Sequence, residues 1–293
     1  MHRSGFVNIV GNPNVGKSTL MNLLVGEKLS IITSKAQTTR HRIMGIVNTE
    51  DMQIIYSDTP GVLRPNYKLQ ENMLNFSESA LDDADVLVYV TDVIEKIDKN
   101  NFFLKKVEKV TSPILLIINK IDLSCQKELE TKVMEWEHLF PHAEIIPLSA
   151  TNRFNIDYLK KRIEELIPES SAYFEKNAMT DRPARFFVAE IIREKILLYY
   201  QKEVPYSTEI VIELFKESDT LIHIKALIIV ERDTQKGIII GNKGKAIKKI
   251  GAMARKDIEK FFEKKVFLEI FVKVEKDWRN RDNLLKNFGY RVE

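Results

Sequence analysis

The stretch Gly11-Asn-Pro-Asn-Val-Gly16-Lys17-Ser18 decides the fold of the first part of this 293-residue chain. It fits the pattern GxxxxGK[ST], and it lies between an apolar run, Phe6–Val10, and an amphipathic segment, Lys17–Val25. Glycines at both ends let the backbone curl, so that successive N–H groups point inward at the N-terminus of a helix. The stretch therefore predicts a strand, a phosphate-binding loop and a helix that together bind a nucleoside triphosphate.

Residues within this loop have distinct expected roles. Lys17 is expected to reach the β- and γ-phosphates, and the hydroxyl group of Ser18 is expected to ligate Mg²⁺. The predicted nucleotide contacts of the loop are Gly11, Asn12, Asn14, Val15, Gly16, Lys17, Ser18 and Thr19.

Short β-branched runs alternate with amphipathic segments through the first half of the chain. This order predicts an α/β fold in which a mostly parallel sheet has helices on both faces. Two of the runs, Ile43–Asn48 and Gln53–Ser57, are too close together for a helical crossover. They are therefore expected to form an antiparallel hairpin.

Asn119-Lys120-Ile121-Asp122 ends a predicted strand, at the edge where an open α/β sheet binds ligands. A carboxylate at Asp122 can accept hydrogen bonds from the ring N–H and the exocyclic amino group of guanine, which adenine lacks. We expect Asn119 to tie this segment to the phosphate loop and the stem of Lys120 to cover the base. Ser149-Ala150, after the next strand, would supply a backbone N–H to the guanine carbonyl. The pattern predicts GTP and GDP as ligands.

Asp58-Thr59-Pro60-Gly61 ends another predicted strand. Asp58 is placed to hold Mg²⁺ through water, and the Gly61 N–H to contact the γ-phosphate. Earlier in the chain, a hydroxyl group of Thr38 or Thr39 can complete the Mg²⁺ shell. Thr39 is preferred because the sequence Thr39-Arg40 resembles the corresponding segment of bacterial GTPases. The predicted catalytic residues are Lys17, Thr39, Asp58 and Gly61, the predicted metal ligands are Ser18, Thr39 and Asp58, and Thr38 is also a predicted nucleotide contact.

The position after Gly61 lacks a group that could orient water. Ras-like GTPases have a glutamine there, whereas this chain has Val62. Arg40 and Arg42 flank the threonine segment, but neither can be assigned as an arginine finger. Slow intrinsic turnover is predicted, because positioning and charge compensation supply nearly all of the catalysis of phosphoryl transfer.

Length and composition indicate a folded chain of two domains. Pro168 and the polar stretch that follows it predict a GTPase domain over 1–168, a linker over 169–184 and a second domain over 185–293. Hydrophobic residues make up 44% of the chain, and the net charge is +3. The single cysteine, Cys125, excludes an internal disulfide, and no apolar run is long enough to cross a membrane. We expect a cytoplasmic protein.

The second domain is predicted to be smaller, α+β and basic. From Glu175 onward, 25 Lys and Arg residues face 19 Asp and Glu residues, so a polyanionic partner would meet this part. The predicted elements are a helix (Phe186–Gln201), two strands (Thr208–Phe215, Leu221–Val230), a helix (Ile247–Phe262) and a strand (Val266–Val274).

Gly241-Asn-Lys-Gly244 precedes the second of these helices, in a segment that has seven basic residues and no acidic one between Gln235 and Lys256. A glycine-flanked turn lets a nucleic-acid backbone approach closely, while lysines supply charge and an apolar floor receives unstacked bases. This is the arrangement of a KH domain, which clamps about four nucleotides. The predicted RNA contacts are Ile238, Ile240, Gly241, Asn242, Lys243, Gly244, Lys245, Lys248 and Lys249. A basic solvated helix after an ordinary turn is the alternative.

Taken together, the chain resembles the Era-like family of bacterial GTPases with a C-terminal KH domain over nearly its full length. The resemblance rests on Gln37-Thr-Thr-Arg-His-Arg42, Asp58-Thr-Pro-Gly61, Glu190-Ile-Ile-Arg-Glu-Lys195, Val204-Pro-Tyr-Ser207 and Ile240-Gly-Asn-Lys-Gly244. It implies a type II KH domain with α-β-β-α-α-β order that binds the 3′ end of small-subunit (16S) rRNA and acts on the pre-30S particle. It also implies a monomer, with peripheral association at the inner membrane in some members.

Two hypotheses remain open at this point. In the first, the chain is an RNA-binding switch in small-subunit assembly. In the second, it is a membrane-associated or cell-cycle signalling GTPase whose C-terminal domain contacts protein or anionic lipid. Some related GTPases recruit K⁺ through an asparagine that matches Asn14, which makes K⁺ stimulation a further hypothesis.

Overall fold

The computed structural model describes residues 2–290, with only the backbone at residue 98. The chain divides into two compact units, which are described separately: residues 2–66 with 70–181, and residues 67–69 with 182–290. The sequence-derived domain boundaries stay predictions, and residues 1 and 291–293 of the predicted ranges lie outside the described part.

A six-stranded sheet with strand order β2-β3-β1-β4-β5-β6 forms the centre of the first unit. β2 and β3 pair antiparallel, as predicted, and the other neighbours pair parallel. The strands are β1 (Arg3–Gly11), β2 (Ile43–Asn48), β3 (Met52–Asp58), β4 (Val86–Asp92), β5 (Ile114–Asn119) and β6 (Glu144–Pro147). The helices are α1 (Lys17–Val25), α2 (Lys68–Asp82), α3 (Asn101–Val107), α4 (Gln126–Leu139) and α5 (Ile156–Leu166).

Burial on both faces explains why the central strands have apolar runs without alternation. Every residue of β3 and β4 is buried, as expected for a parallel sheet covered by helices on each side. On one face, Tyr89 of β4 packs against Trp136 of α4, with ring centroids 5.8 Å apart. The polar residues that matter for the site follow the strands, at the carboxyl edge of this packed sheet.

The segment between α5 and the second unit lies along the hairpin of the first unit. The side-chain oxygen of Gln53 accepts hydrogen bonds from the N–H groups of Tyr173 and Phe174, at 2.8 and 2.9 Å. Farther along, the hydroxyl group of Thr180 donates to the carbonyl of Met44 at 2.7 Å. These contacts order the stretch that is predicted to be a linker.

The second unit has the order α-β-β-α-α-β that the resemblance implies. Its elements are α6 (Ala184–Tyr199), β7 (Glu209–Glu217), β8 (Leu221–Val230), α7 (Asp233–Ile240), α8 (Lys245–Phe262), β9 (Lys265–Val274) and a short C-terminal helix α9 (Asp282–Asn287). β7 pairs antiparallel and β9 parallel with the central β8. Its core lies between one face of this sheet and helices α6 and α8, with Ile192, Ile224 and Ile250 fully buried.

Helix α7 has no counterpart among the elements predicted with residue ranges for the second domain. Ile238–Ile240, the predicted apolar floor, form the last turn of α7. As a result, Ile239 is buried, Ile238 is exposed and Ile240 is half-buried. No helix within residues 2–290 has both the length and the apolar character needed to cross a bilayer.

Candidate functional site

The phosphate loop connects β1 to α1 and needs glycine at both ends. Gly11 has φ +146° and Gly16 has φ +100°, backbone conformations that side chains disfavour. A Cβ atom at Gly11 would lie 2.1 Å from the Val90 carbonyl oxygen, and one at Gly16 would lie 2.2 Å from the side-chain nitrogen of Asn119. The loop therefore packs directly against the ends of β4 and β5, with the N-terminus of α1 open to a ligand.

Lys17, the first residue of α1, folds back over this loop. Its ammonium group donates a hydrogen bond to the carbonyl of Asn12 at 2.8 Å. Burial lowers the pKa of Lys17 to about 8, and the carboxylates of Asp58 and Glu95 oppose this shift. A buried cation beside a ring of backbone N–H groups is suited to a polyphosphate, whose charge would compensate the cost of burial.

Three oxygen-bearing side chains converge beside the loop, and they are the three predicted metal ligands. The Ser18 hydroxyl group donates to a carboxylate oxygen of Asp58 at 2.7 Å and lies 2.9 Å from the hydroxyl group of Thr39. Thr39 in turn donates to the same oxygen at 3.3 Å. Thr38 points elsewhere, because its hydroxyl group donates to the Lys35 carbonyl at 2.6 Å.

Asp58 has the features expected of a residue that meets a cation. It is fully buried, and its Oδ1 atom has no hydrogen-bond partner among the described residues. Burial raises the pKa of Asp58 above its ordinary value, while the nearby Lys17 ammonium opposes this shift. Hard oxygen donors around an unsatisfied carboxylate oxygen fit Mg²⁺.

At the other end of the cavity, Asn119 of β5 links the base-binding segment to the phosphate loop, as expected from the sequence. Its amide nitrogen donates to the carbonyl of Val15 at 2.8 Å, and its amide oxygen accepts from the N–H of Ala150 at 3.0 Å. Asp122 is exposed and accepts a 2.5 Å hydrogen bond from the hydroxyl group of Ser149. The structure thus brings Asn119, Asp122, Ser149 and Ala150 to one place.

Lys120 lies across the mouth of the phosphate loop. Its ammonium group donates to the carbonyl of Asn14 at 2.6 Å and to the Asp92 carboxylate at 2.7 Å. Asp92 ends β4 and was not among the predicted site residues, because no motif contains it. It orients Lys120, whose carbon stem is then free to cover a base.

One cavity of about 510 Å³ joins the phosphate loop to the base-binding segment. It is lined by loop residues, both threonines, Gly61 and the residues that follow β5 and β6. Gly61 approaches the loop so closely that a Cβ atom would lie 2.7 Å from Pro13. Predicted residues that line the cavity are Asn14, Gly16, Lys17, Ser18, Thr19, Thr38, Thr39, Gly61, Asn119, Lys120, Asp122 and Ala150.

Asn100 is a residue of this site that sequence reasoning missed. Just before α3, its buried side-chain amide donates to the Asn12 side chain at 2.6 Å and to the Val62 carbonyl at 3.0 Å. It therefore connects the phosphate loop with the residue that follows Gly61. Its only sequence signal is a polar residue at the start of a helix, which is too common to indicate a site.

Arg42 also has a defined place. Its guanidinium group donates to Ser57 at 2.6 Å, to Asn8 at 3.0 Å and to the Asp83 carboxylate at 2.8 Å. A side chain held by partners on β1, on β3 and just after α2 is an anchor. Arg42 is therefore not positioned as an arginine finger.

In the second unit, residues 241–244 form a tight connection between α7 and α8. Gly241, Lys243 and Gly244 all have positive φ, at +69°, +50° and +74°. A Cβ atom at Gly241 would lie 2.6 Å from that of Ala246, whereas one at Gly244 would meet open space. The turn exposes its backbone.

Exposed lysines follow the turn along α8. Lys245 and Lys248 are exposed, and the ammonium group of Lys249 lies 5.0 Å from the ring centroid of Tyr199. Asn242 and Lys243 are exposed within the turn itself, so the predicted polar RNA contacts form one accessible basic patch.

The fold and the two sites define a GTPase domain followed by a KH domain. Residues 6–120 match the family model described as a 50S ribosome-binding GTPase, and residues 203–279 match that of the KH domain. Two solved structures are similar over the whole chain, each with 38% identity and a TM-score of 0.94.

The first structure is Era in complex with MgGDPNP and nucleotides 1506–1542 of 16S ribosomal RNA, and the match covers 100% of both chains. The second is a tyrosine-to-alanine variant of Aquifex aeolicus Era bound to GDP and aluminium fluoride, and the match covers 99% of this chain and 100% of that one. The chain belongs to the Era family of GTPases.

Proposed function

We propose that this protein is a GTP-hydrolysing switch that binds small-subunit rRNA near its 3′ end and acts in assembly of that subunit. The observation that carries the nucleotide part is one cavity with phosphate-binding groups at one end and Asp122 at the other. GTP and GDP are its ligands, and Mg²⁺ is its cation.

Hydrolysis transfers the γ-phosphoryl group of GTP to water and releases GDP and phosphate. The amides of residues 14–18 and the Lys17 ammonium hold the phosphates, and Ser18, Thr39 and Asp58 would hold Mg²⁺. When bound, Mg²⁺ neutralises charge that develops on the phosphate oxygens. Gly61 offers its N–H to the γ-phosphate. Because the Val62 side chain is buried and apolar, no group at that position orients water, and intrinsic turnover is slow.

RNA binding is the role of the second unit. The support is the exposed basic turn at 241–244 and the whole-chain similarity to Era, which has been solved with nucleotides 1506–1542 of 16S rRNA. The GTPase family model names the 50S subunit, but its match ends at residue 120. The similarity to Era in its rRNA complex extends over the complete chain and therefore carries more weight for the identity of the RNA partner.

Filter binding with the full chain tests the proposal. The probes are the 16S rRNA 3′ segment, a scrambled RNA of the same composition, and vesicles with anionic lipid. Preference for the rRNA segment, with different affinities in GDP and in a non-hydrolysable GTP analogue, is expected, because a switch needs unequal affinities in its two states. Equal binding of both RNAs, or tighter binding to vesicles, would favour the signalling alternative.

Several finer points belong to the same proposal. The protein is a cytoplasmic monomer with peripheral contact to the inner membrane, which sedimentation and vesicle flotation test.

K⁺ stimulates turnover through Asn14, whose side chain is exposed at the phosphate loop. Equal turnover in matched Na⁺ and K⁺ buffers, or equal K⁺ stimulation of Asn14→Ala, would contradict the role of K⁺.

A further inference from the structure

Helices α6 and α8 pack on one face of the sheet of the second unit, and the opposite, open face presents two phenylalanines. Ile222, Ile224 and Ile228 of β8 point to the helices and are fully buried. Side chains alternate along a strand, so the intervening residues point to the opposite face. On β9, that face presents Phe267 and Phe271, which are 53% and 46% exposed.

We propose that this open face is a stacking platform for single-stranded RNA, a second contact region beyond the turn at 241–244. The inference rests on the proposed RNA-binding function. Phe267 and Phe271 are four residues apart on one strand, or about 13 Å, so each ring can take a base of its own. Bases stack on exposed aromatic rings with little regard to sequence, because every base has a π-face.

Each phenylalanine has a polar neighbour on β8 that holds it in place. The ring of His223, paired with Phe267 in the sheet register, lies 5.1 Å from it in an edge-to-face arrangement. His223 also forms a 2.7 Å hydrogen bond with Glu269. The Lys225 ammonium lies 5.1 Å from the ring centroid of Phe271. These contacts restrict both rings, which lowers the entropy cost of stacking a base on them.

The charge of this face favours RNA over protein. By register, four lysines share the face, whereas its carboxylates are the buried Glu209, the partly exposed Glu269 and the exposed Glu213, which lies in the bulge of β7. Some of this charge is already paired, because Lys225 lies 3.1 Å from Glu213 and Lys273 lies 2.6 Å from Glu275. Protein interfaces are depleted in lysine at their centre, but RNA platforms combine lysine with aromatic rings. The four lysines are Lys216, Lys225, Lys265 and Lys273.

The platform is continuous with the turn at 241–244. Helix α7, which leads into that turn, packs against β9, and β9 is an edge strand of the sheet. RNA that leaves the turn can therefore pass the free edge of β9 and reach Phe267 and Phe271 on the other side. A KH turn clamps about four nucleotides, so only a longer RNA would use both regions.

Two RNAs from the 16S rRNA 3′ segment separate the regions: a short one of about five nucleotides and a longer one of about fourteen that includes it. We expect Phe267→Ala and Phe271→Ala each to weaken binding of the long RNA about tenfold and to leave the short RNA unchanged. Phe267→Tyr should restore binding, whereas Phe267→Leu should not, because leucine is apolar but has no ring.

Phe261→Ala is the matched control, since Phe261 is 40% exposed in the same unit but lies on helix α8. Thermal melting of every variant monitors folding. The phenylalanine variants should not change the slope of log affinity against log salt, whereas Lys243→Ala should reduce it by about one. In addition, the fluorescence of Phe267→Trp should be quenched by the long RNA only.

The outcomes distinguish this inference from the proposed function. If the wild-type protein binds neither RNA, the proposed function and the platform both fail. If it binds both RNAs but the phenylalanine variants bind the long RNA normally, only the platform fails, and the face is then available to a protein. Equal losses for the long and short RNAs would also overturn the platform, because they indicate damage to the unit rather than lost stacking.

Discussion

The nucleotide cavity and the turn at 241–244 are built in opposite ways. In the cavity, the side chains of Lys17 and Asn119 are buried and already hydrogen-bonded to the phosphate loop. In the turn, Asn242 and Lys243 are exposed, and the two glycines leave the backbone bare. A preorganised site suits a small ligand that must be distinguished from close analogues, whereas an exposed basic turn suits a polyanion recognised by charge and close approach.

The largest expected effect concerns base recognition in the nucleotide cavity, which depends on the direction of hydrogen bonds. Asp122→Asn should reduce GTP affinity about a thousandfold and improve that of xanthosine triphosphate, because the amide can donate to the xanthine oxygen but cannot accept both guanine hydrogen bonds. Isothermal titration calorimetry with both nucleotides measures this. Asp219→Asn, an exposed aspartate in the second unit, is the control. Retained guanine preference in Asp122→Asn would remove the basis of the assignment.

Burial of Lys17 predicts a pH dependence of nucleotide binding. The pKa of Lys17 is lowered to about 8, so the free protein loses this charge as the pH rises through that value. A bound triphosphate favours the charged form, so GTP binding takes up a proton in this range. Affinity should be constant below pH 8 and fall by up to about tenfold per pH unit above it. Calorimetry in buffers of different ionisation enthalpy reports the proton uptake, and Lys17→Arg should move the decline to higher pH.

Asn100 tests whether the preorganised cavity also positions the residues after Gly61. Asn100→Ala removes both hydrogen bonds that join Asn12 to Val62, so we expect GTP turnover to fall about tenfold while GDP affinity changes little. Steady-state kinetics separate kcat from KM, and thermal melting reports any general loss of stability. A parallel loss of GDP affinity and melting temperature, with kcat unchanged, would make Asn100 a purely structural residue.

Gly244 tests the importance of bare backbone in the turn. Gly244 and Gly26 both have positive φ, and a Cβ atom at either would meet open space. Alanine at each position should therefore cost a similar backbone strain of about 1 kcal/mol. Only Gly244→Ala should weaken RNA binding, about fivefold, because its methyl group lies where RNA approaches. Similar RNA affinities for both variants would show that close approach is not required there.

The smallest effect concerns single charges on α8. Lys248→Ala should weaken RNA binding only two- to threefold and lower the salt slope by about one, equally for specific and scrambled RNA. Fluorescence anisotropy across a salt series measures both quantities. A change in sequence preference would mean that Lys248 reads bases rather than phosphates.

Local motifs explain why most of the fold and the nucleotide site are predictable. The phosphate loop, the Asn119–Asp122 segment and the Asp58–Gly61 segment each follow a strand, and parallel strands bring their carboxyl ends to one edge. Sequence reasoning can also place Ser18 near Asp58 in this way. It cannot distinguish Thr39 from Thr38, because adjacent hydroxyl groups differ only in the direction that the folded backbone gives them.

Contacts outside motifs are the part that the sequence does not reveal. Asn100 and Asp92 act through partners far along the chain, so nothing near them indicates a role. Helix α7 is obscured because Gly237 and three consecutive isoleucines disfavour a helix locally, and packing of Ile239 in the core overrides this preference. Trp278 likewise has a partner far along the chain: it is fully buried, and its ring N–H donates to the carbonyl of Ser207 at 3.0 Å.

The anchoring of Arg42 has a counterpart at the other end of the threonine segment. There, the Asn22 side chain accepts hydrogen bonds from the N–H groups of Leu29 and Ser30, at 3.0 and 2.9 Å. The segment between Ser30 and Arg42 is thus held to the folded core at both ends. Loss of the γ-phosphate can loosen the middle of this segment, but its two anchored ends limit how far it moves. We therefore expect the register of the β2–β3 hairpin to be the same in the GTP-bound and GDP-bound states.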